Sequence, residues 1–297
     1  MEKNMPETTV LFRAETPKSK YLLIVNKGPG AVSLRREGGA WDLMEIYFMK
    51  ADIESITQDP AKTDAEYVVF ETDRNKRKFA IIKQIFERHD FWKRYDAVMM
   101  ADDDLVPVGC SIGAMFNLFT ETGLRVGQPA LSSDSYWSHE ITLQNPSFRW
   151  RKTNFIEVMC TIMTPAAIVD YLSLFDATIS GFGLDNYWGW HEWQRYGGLA
   201  ILDETPMRHC RPVRGGMAYR GLSPGEECRL FFQKHKLMHY MHLTLGGVQA
   251  SGDHFRKRRR FYPQQAYQAL RHRLKEWLLK FNFWGQLGFF LLFRKKA

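Results

Sequence analysis

Three consecutive carboxylates, Asp102, Asp103 and Asp104, close the apolar run YDAVMMADDDL at residues 95–105. Neighbouring like charges repel, so the triad costs stability unless something positive sits against it. In extended chain Asp102 and Asp104 point to one side and Asp103 to the other. Two converging carboxylates become tolerable around a divalent cation, and a diphosphate can complete the coordination of that cation. The chemistry favoured is therefore that of a phosphate-bearing ligand handled with Mn²⁺ or Mg²⁺. A solvated acidic turn capping the next helix is the plain alternative, weakened by the apolar strand in front of it.

Carboxylates of this kind need a sheet to hold them. KYLLIVN (20–26), WDLMEIYF (41–48), EYVVFET (66–72) and YDAVMMA (95–101) read as short buried strands. Apolar residues at helical spacing from Phe79 to Trp92 predict a helix over 78–95. Later strands are predicted at 124–131, 154–163 and 199–203. A helix is predicted from the Thr164-Pro165 start through Phe175. SGFGLDNYWGW (180–190), with three glycines, reads as a loop. Strands alternating with helices imply an α/β fold with a mostly parallel sheet, and ligands of such sheets bind outside the carboxyl ends of the strands. The KGPG turn after the first of these strands suits nucleotide binding. Neither GxGxxG nor a Walker lysine pattern is present, so those phosphate loops are excluded.

With 297 residues, 45% hydrophobic and 14% aromatic, the chain can build one large core. Its four cysteines form no CxxC pair, which argues against a zinc ribbon or redox motif and fits a reducing compartment. The first twenty residues lack the apolar stretch of a signal peptide, so the expected location is cytoplasmic. The net charge of +8 is unevenly spread. Residues 251–297 hold twelve Lys/Arg against Asp253 and Glu276, a net of +10, which leaves −2 for the first 250.

Beyond the carboxylates, three further segments stand out: GQPALSSDSYWSHEITLQNPSFRWRKTNFIEVM, SGFGLDNYWGW and LDETPMRHCRPVRGG. With YDAVMMADDDL they resemble a family of bacterial and plant GT-A-like glycosyltransferases long classed as a domain of unknown function. The likeness spans roughly residues 20 to 220. It implies a GT-A-like catalytic domain, about 15–245, with a nucleotide-sugar donor and a divalent metal bridging its diphosphate. It also implies residue roles. Asp104 would ligate the metal, and Asp102 would face the donor ribose or a metal-bound water. Asp103 belongs with the donor-binding set, and His209 would be a further metal ligand. Arg211 and Arg214, before Gly215-Gly216, would neutralise the leaving diphosphate. Asn26, Lys27, Gly28 and Gly30 would contact the nucleotide, and Lys78 a phosphate.

An inverting transferase also needs a carboxylate base for the acceptor hydroxyl. Asp185 is the first candidate, with Glu192 and Asp134 behind it. Trp188 and Trp190 are either a sugar-stacking platform or core. Glu157, inside an apolar strand, either pairs with an arginine in the core or faces the site, with the core pairing favoured. His139 receives no role, and His191 beside Glu192 lacks HExxH spacing.

The tail carries HFRKRRRF at 254–261, then Tyr267, Leu270, Leu274, Trp277, Leu278 and Phe281 on one helical face, flanked by Arg271, Arg273, Lys275 and Lys280. The apolar run after it is too short for a bilayer, which needs about 20 residues. Residues 251–297 thus read as an interfacial anchor on an anionic membrane surface, at the inner face of the cell membrane. Nucleic-acid binding would leave the Phe and Trp of the tail unexplained. The acceptor expected is a glycan or a lipid-linked sugar, as in bacterial surface-polysaccharide synthesis. Two rival readings are a metal-dependent phosphohydrolase and a non-catalytic membrane-bound nucleotide-sugar binder.

Overall fold

The structure is a computed structural model that describes residues 8–14, 16–28, 31, 34, 39–73, 76–212 and 222–256. Gly30, Arg214, Gly215, Gly216 and the basic tail from Lys257 lie outside the described residues, and with them the anchor expectation. Residues 239–241 and 257–297 make up a second unit, of which only 239–241 are described; the remaining described residues form the first.

The strand-forming runs sit where period and turn residues place them. β1 (Thr8–Phe12), β2 (Tyr21–Lys27) and β3 (Asp42–Tyr47) precede α1 (Lys50–Gln58); β4 (Tyr67–Glu71), α2 (Lys78–Arg88) and β5 (Ala97–Ala101) follow. After the carboxylates come β6 (Leu105–Pro107), α3 (Ile112–Thr122), β7 (Val126–Leu131), β8 (Phe148–Thr153) and β9 (Cys160–Met163). The chain then forms α4 (Pro165–Tyr171), α5 (Leu184–Tyr196), β10 (Leu199–His209), α6 (Pro224–His235), β11 (Thr244–Gln249) and β12 (His254–Arg256).

All twelve strands share one sheet, in the order β1-β4-β3-β2-β5-β9-β7-β10-β8-β11-β12, with β6 pairing β10. The mixed sheet with flanking helices is as expected. Its parallel part, however, is limited to β4-β3-β2-β5 and the β7–β10 pair; the other pairings are antiparallel. Because β5 and β7 both run opposite to β9, the carboxyl ends of β2, β3, β4, β5, β7 and β10 lie along one edge. That edge carries Gly28, the Asp triad, the loop after β7 and His209.

Both faces of the central strands are apolar, which explains their continuous rather than alternating runs. Leu22, Ile24, Met44 and Ile46 pack with Phe79, Ile82, Phe86, Trp92 and Trp188 on one side. Leu23, Val25, Leu43 and Val68 pack with Met115, Phe116 and Phe119 of α3 on the other. The helix ends follow side-chain caps: Ser111 Oγ accepts from Ala114 N at 3.0 Å, and Ser223 with Glu226 forms a capping box on α6.

Three expectations change. The helix predicted over 78–95 stops at Arg88, where the Trp92 indole N–H donates to the Phe86 carbonyl at 3.0 Å and the chain turns. Phe91 and Trp92 stay buried, so the apolar spacing continues without the helix. Of the strand predicted over 154–163 only Cys160–Met163 pairs. The backbone before it bonds elsewhere: Glu157 N donates to the Gln128 side chain, and Asn154 N donates to the Leu243 carbonyl at 3.3 Å. The predicted loop at 180–190 is largely α5. Its glycines supply the N-terminal turn, with Gly183 at φ 97°. Finally β6, β8 and α1 had no clear sequence signal.

Candidate active site

The short ladder between β6 and β10 assembles the centre of the site. Leu105 lies opposite His209, and Cys210 N donates to Asp104 O at 2.9 Å. His209 Nε2 thereby comes 3.1 Å from Asp104 Oδ2. The other imidazole nitrogen, Nδ1, is 2.7 Å from the Tyr136 carbonyl oxygen, which can only accept. The proton of a neutral ring must then sit on Nδ1, and Nε2 presents a lone pair to a carboxylate oxygen. Two lone pairs at that distance repel, so the pair requires either an imidazolium or a cation between them. A ligating histidine whose second nitrogen donates to a carbonyl is the usual arrangement at metal sites. Asp104 Oδ1, also buried, has no hydrogen-bond partner among the described residues. Burial works against the charge on Asp104, but His209 and Arg211 outweigh it and hold the carboxyl below its usual range. Burial likewise lowers His209, and the contacts to Asp104 and Tyr136 reverse this to a net rise.

The two remaining carboxylates are each engaged on one side. Asp103 accepts from Gly28 N at 2.7 Å and from Arg211 Nη2. A Cβ on Gly28 would stand 2.8 Å from Asp103 Oδ2, so only glycine allows this approach. Asp102 meets Lys78 Nζ at 2.7 Å through Oδ1. Its side chain is 41% exposed although protein closes in around it, as for a group at the floor of a cleft. Those surroundings push its carboxyl up, and Lys78 opposes the push.

The other expected residues divide clearly. Lys78 is corrected from a phosphate contact: its buried ammonium is taken by Asp102, the Val158 carbonyl at 2.9 Å and the Met100 carbonyl at 3.5 Å. Lys27 pairs with Glu45 at 3.4 Å, and so points along the neighbouring strand instead of to a nucleotide. Asn26 lies one residue past the Val25–Ala101 pair, beside Asp102, with its Oδ1 buried and unpartnered. Arg211 reaches Asp103 and, through Nε at 3.1 Å, Asp104; its side chain is 42% exposed. Among the described residues no three His, Cys, Asp or Glu side chains converge as a ready-made metal cage.

Asp185, the expected base, stands in the first turn of α5. Its Oδ1 accepts from Gly183 N, Asn186 N and Asn186 Nδ2 at 3.2, 2.7 and 2.8 Å. Burial outweighs these bonds and lifts its carboxyl to about 6. Glu192 is corrected from a catalytic candidate. It is fully buried about two turns further along α5, where Tyr171 OH donates to it at 2.6 Å and Arg125 lies at 3.7 Å. Trp188 is likewise core, packed edge-on against Phe79 and Phe175. Asp134 is exposed, near Arg208 at 3.5 Å.

Among the described residues Glu157 has no arginine partner. It is 3% exposed, neither oxygen makes a hydrogen bond of normal geometry, and His139 Nε2 is 3.9 Å away. Burial, with the charge of Asp185 added, lifts its carboxyl to about 8; His209 and the backbone amides of His139 and Ser138 ease it slightly. His139 packs against Phe155 and His242, and burial lowers the pKa of both histidines. The Tyr136 carbonyl and Glu157 were the site features not read from sequence. The distinctive run SSDSYWSHE carried the signal for the first, and a lone acid among apolar residues for the second.

No family model matches the chain, and no curated protein matches it. Among solved structures it is similar to residues 1–349 of S. aureus TarS, at 8% identity and a TM-score of 0.45, over 63% of this chain and 59% of that one. It is also similar to GalNAc-T7 solved with UDP, GalNAc and Mn²⁺, at 8% identity and 0.47, over 72% of this chain and 47% of that one. A third is the 4-diphosphocytidyl-2C-methyl-D-erythritol synthase of Anaerococcus prevotii, at 12% identity and 0.36, over 61% of this chain and 86% of that one. The chain thus spans about three fifths of the TarS fragment and about half of the GalNAc-T7 chain. At these scores the likenesses decide nothing by themselves; the residues of the site carry the chemistry.

Proposed function

We propose that this chain is a divalent-metal-dependent glycosyltransferase of GT-A type, moving a sugar from a nucleotide-diphosphate donor to a glycan or lipid-linked acceptor. The observation that carries the reading is the Asp104–His209 pair. Its imidazole is held at Nδ1 by the Tyr136 carbonyl and brings Nε2 within 3.1 Å of a carboxylate oxygen. Asp104 and His209 would hold Mn²⁺ or Mg²⁺. Two protein ligands suit a cation whose remaining positions are filled by substrate phosphates and water. When bound, the cation supplies charge stabilisation to the departing nucleoside diphosphate.

The protein's own groups surround that point in order. The unpartnered Asn26 Oδ1 and the open side of Asp102 face the place where base and ribose belong. Arg211, half-exposed beside Asp103 and Asp104, is placed to fork onto phosphate oxygens. Asp185, near 6, is ionised at neutral pH and basic enough to take the proton of an acceptor hydroxyl. The basic amphipathic pattern of 257–297 supports a place at the inner face of the cell membrane, where a lipid-linked acceptor would lie.

The test is a panel of sugar nucleotides incubated with Mn²⁺ or with EDTA, scored for released nucleoside diphosphate. The reading expects one donor class to be turned over with Mn²⁺ only. Turnover of phosphomonoesters in place of sugar nucleotides would refute it.

A further inference from the structure

Tyr136 and Trp137 leave 48% and 45% of their surface exposed, on the loop that follows β7. Neither ring stacks or hydrogen-bonds through its side chain among the described residues, while the backbone beneath them is held firmly. Tyr136 N donates to the His209 carbonyl at 3.1 Å, and the Tyr136 carbonyl takes the Nδ1 proton of His209. His209 N donates to Ser135 Oγ at 3.2 Å, and Ser135 N donates to the Ser132 carbonyl at 3.0 Å. The amides of Ser138 and His139 face Glu157. Two adjacent large aromatic side chains are thus presented to solvent from a backbone whose position relative to Asp104 and His209 is fixed. Tyr and Trp suit binding surfaces, where an apolar ring meets a ligand and a polar tip stays wet, and here two of them stand side by side next to the site.

Sheet order says which ligand. Along the active edge β2 lies on one side of β5, and β9 and then β7 on the other. Asn26 and Gly28, at the end of β2, flank the Asp triad on the nucleotide side. The Tyr136–Trp137 loop flanks it on the opposite side, beyond Glu157 at the approach to β9. A donor laid from β2 across the triad directs its sugar toward that loop. What must approach from there is the acceptor, whose pyranose ring has apolar C–H faces for aromatic stacking and hydroxyls for the polar groups nearby. Trp188, for which the sequence left open a platform or a core role, is fully buried and unable to do this.

We propose that Tyr136 and Trp137 form the acceptor subsite, a stacking platform for a pyranose ring of the sugar that receives the transfer. The proposal rests on the glycosyltransferase reading above and adds the face from which the acceptor enters.

The experiment uses the full chain with Mn²⁺ and a panel of nucleoside diphosphates, adding the methyl glycosides of glucose, galactose, mannose and N-acetylglucosamine as probes. Nucleoside diphosphate binding is read by thermal shift, and glycoside binding by saturation-transfer difference NMR. The parent is expected to saturate the ring C–H protons of at least one glycoside. Tyr136→Ala and Trp137→Ala are expected to weaken that binding about tenfold each, with Trp137→Phe retaining most of it and nucleoside diphosphate binding unchanged in both Trp137 variants. Glycoside binding unaffected by both alanines, or no glycoside bound by a parent that binds the diphosphate, would overturn the subsite. A parent that binds no nucleoside diphosphate at all would overturn the transferase reading and the subsite with it.

Discussion

At the scale of single residues, the decisive feature is how protons are distributed in the cleft. Asp185 and Glu157 are two buried acids pushed to about 6 and about 8, so near neutral pH the first is ionised and the second holds its proton. Base catalysis needs Asp185 unprotonated, so activity is expected to rise with pH through a limb near 6, seen in a kcat/KM profile. Asp185→Asn removes the base and should lower kcat by about 10²–10⁴-fold. The same change should raise stability. A carboxyl whose folded pKa lies above its unfolded value destabilises the fold once pH exceeds the unfolded pKa, and fully so above the folded one. Between 4 and 6 the Asp185 contribution is progressively lost, and Asp185→Asn should therefore be more stable at pH 7 by about 1–3 kcal/mol, read by chemical denaturation. Glu157→Gln should show the parallel effect over the window from 4.5 to 8: a stability advantage that grows with pH and levels off above 8. A parent and variant with the same pH dependence would mean that Glu157 does not titrate in that window.

At the scale of elements, α5 and the β6–β10 ladder do the positioning. Trp188 anchors α5 in the core against Phe79 and Phe175, so Trp188→Ala should cost about 3–5 kcal/mol of stability, measured by denaturation, far beyond a loss of sugar binding alone. The strands carrying the Asp triad were legible in sequence because β2, β3, β4 and β5 are buried on both faces and therefore continuous in apolar residues. β6 and β8 were not. LVP and FRWRKT carry neither a buried run nor clean alternation, since three-residue β6 borrows its order from β10, and β8 buries Arg151 through its pairing with Asp203 at 2.9 Å. α5 was hidden by its glycines, which read as loop although Gly181 and Gly183 take the positive φ that starts the helix and Gly189 is buried within it. The candidate site was legible by residue type at Asp102, Asp104, Asp185 and His209. It was not legible where a partner decides the role: Lys78 and Lys27 were available cations until the fold gave them Asp102 and Glu45, and Glu192 an available acid until Tyr171 and Arg125 enclosed it.

At the scale of the whole molecule, the sheet edge orders the chemistry from the β2 end, through the carboxylates, to the aromatic loop after β7. The chain as a whole adds a basic tail to a body of slightly negative charge. Deletion of 257–297 is expected to abolish co-sedimentation with vesicles containing anionic lipid and to leave donor turnover in solution intact. Binding of the full chain should weaken as salt rises, because basic side chains near an anionic surface are screened. Unchanged sedimentation of the truncated chain would place the membrane contact elsewhere.

The central claim is that Asp104 and His209 hold a cation together with the diphosphate of the donor. Calorimetric titration of Mn²⁺ into the protein with a nucleoside diphosphate that it binds tests this most directly. Saturable binding in the parent, lost in both Asp104→Asn and His209→Ala with the fold intact by circular dichroism, is the outcome expected. Mn²⁺ binding of equal affinity in the parent and both variants would contradict it.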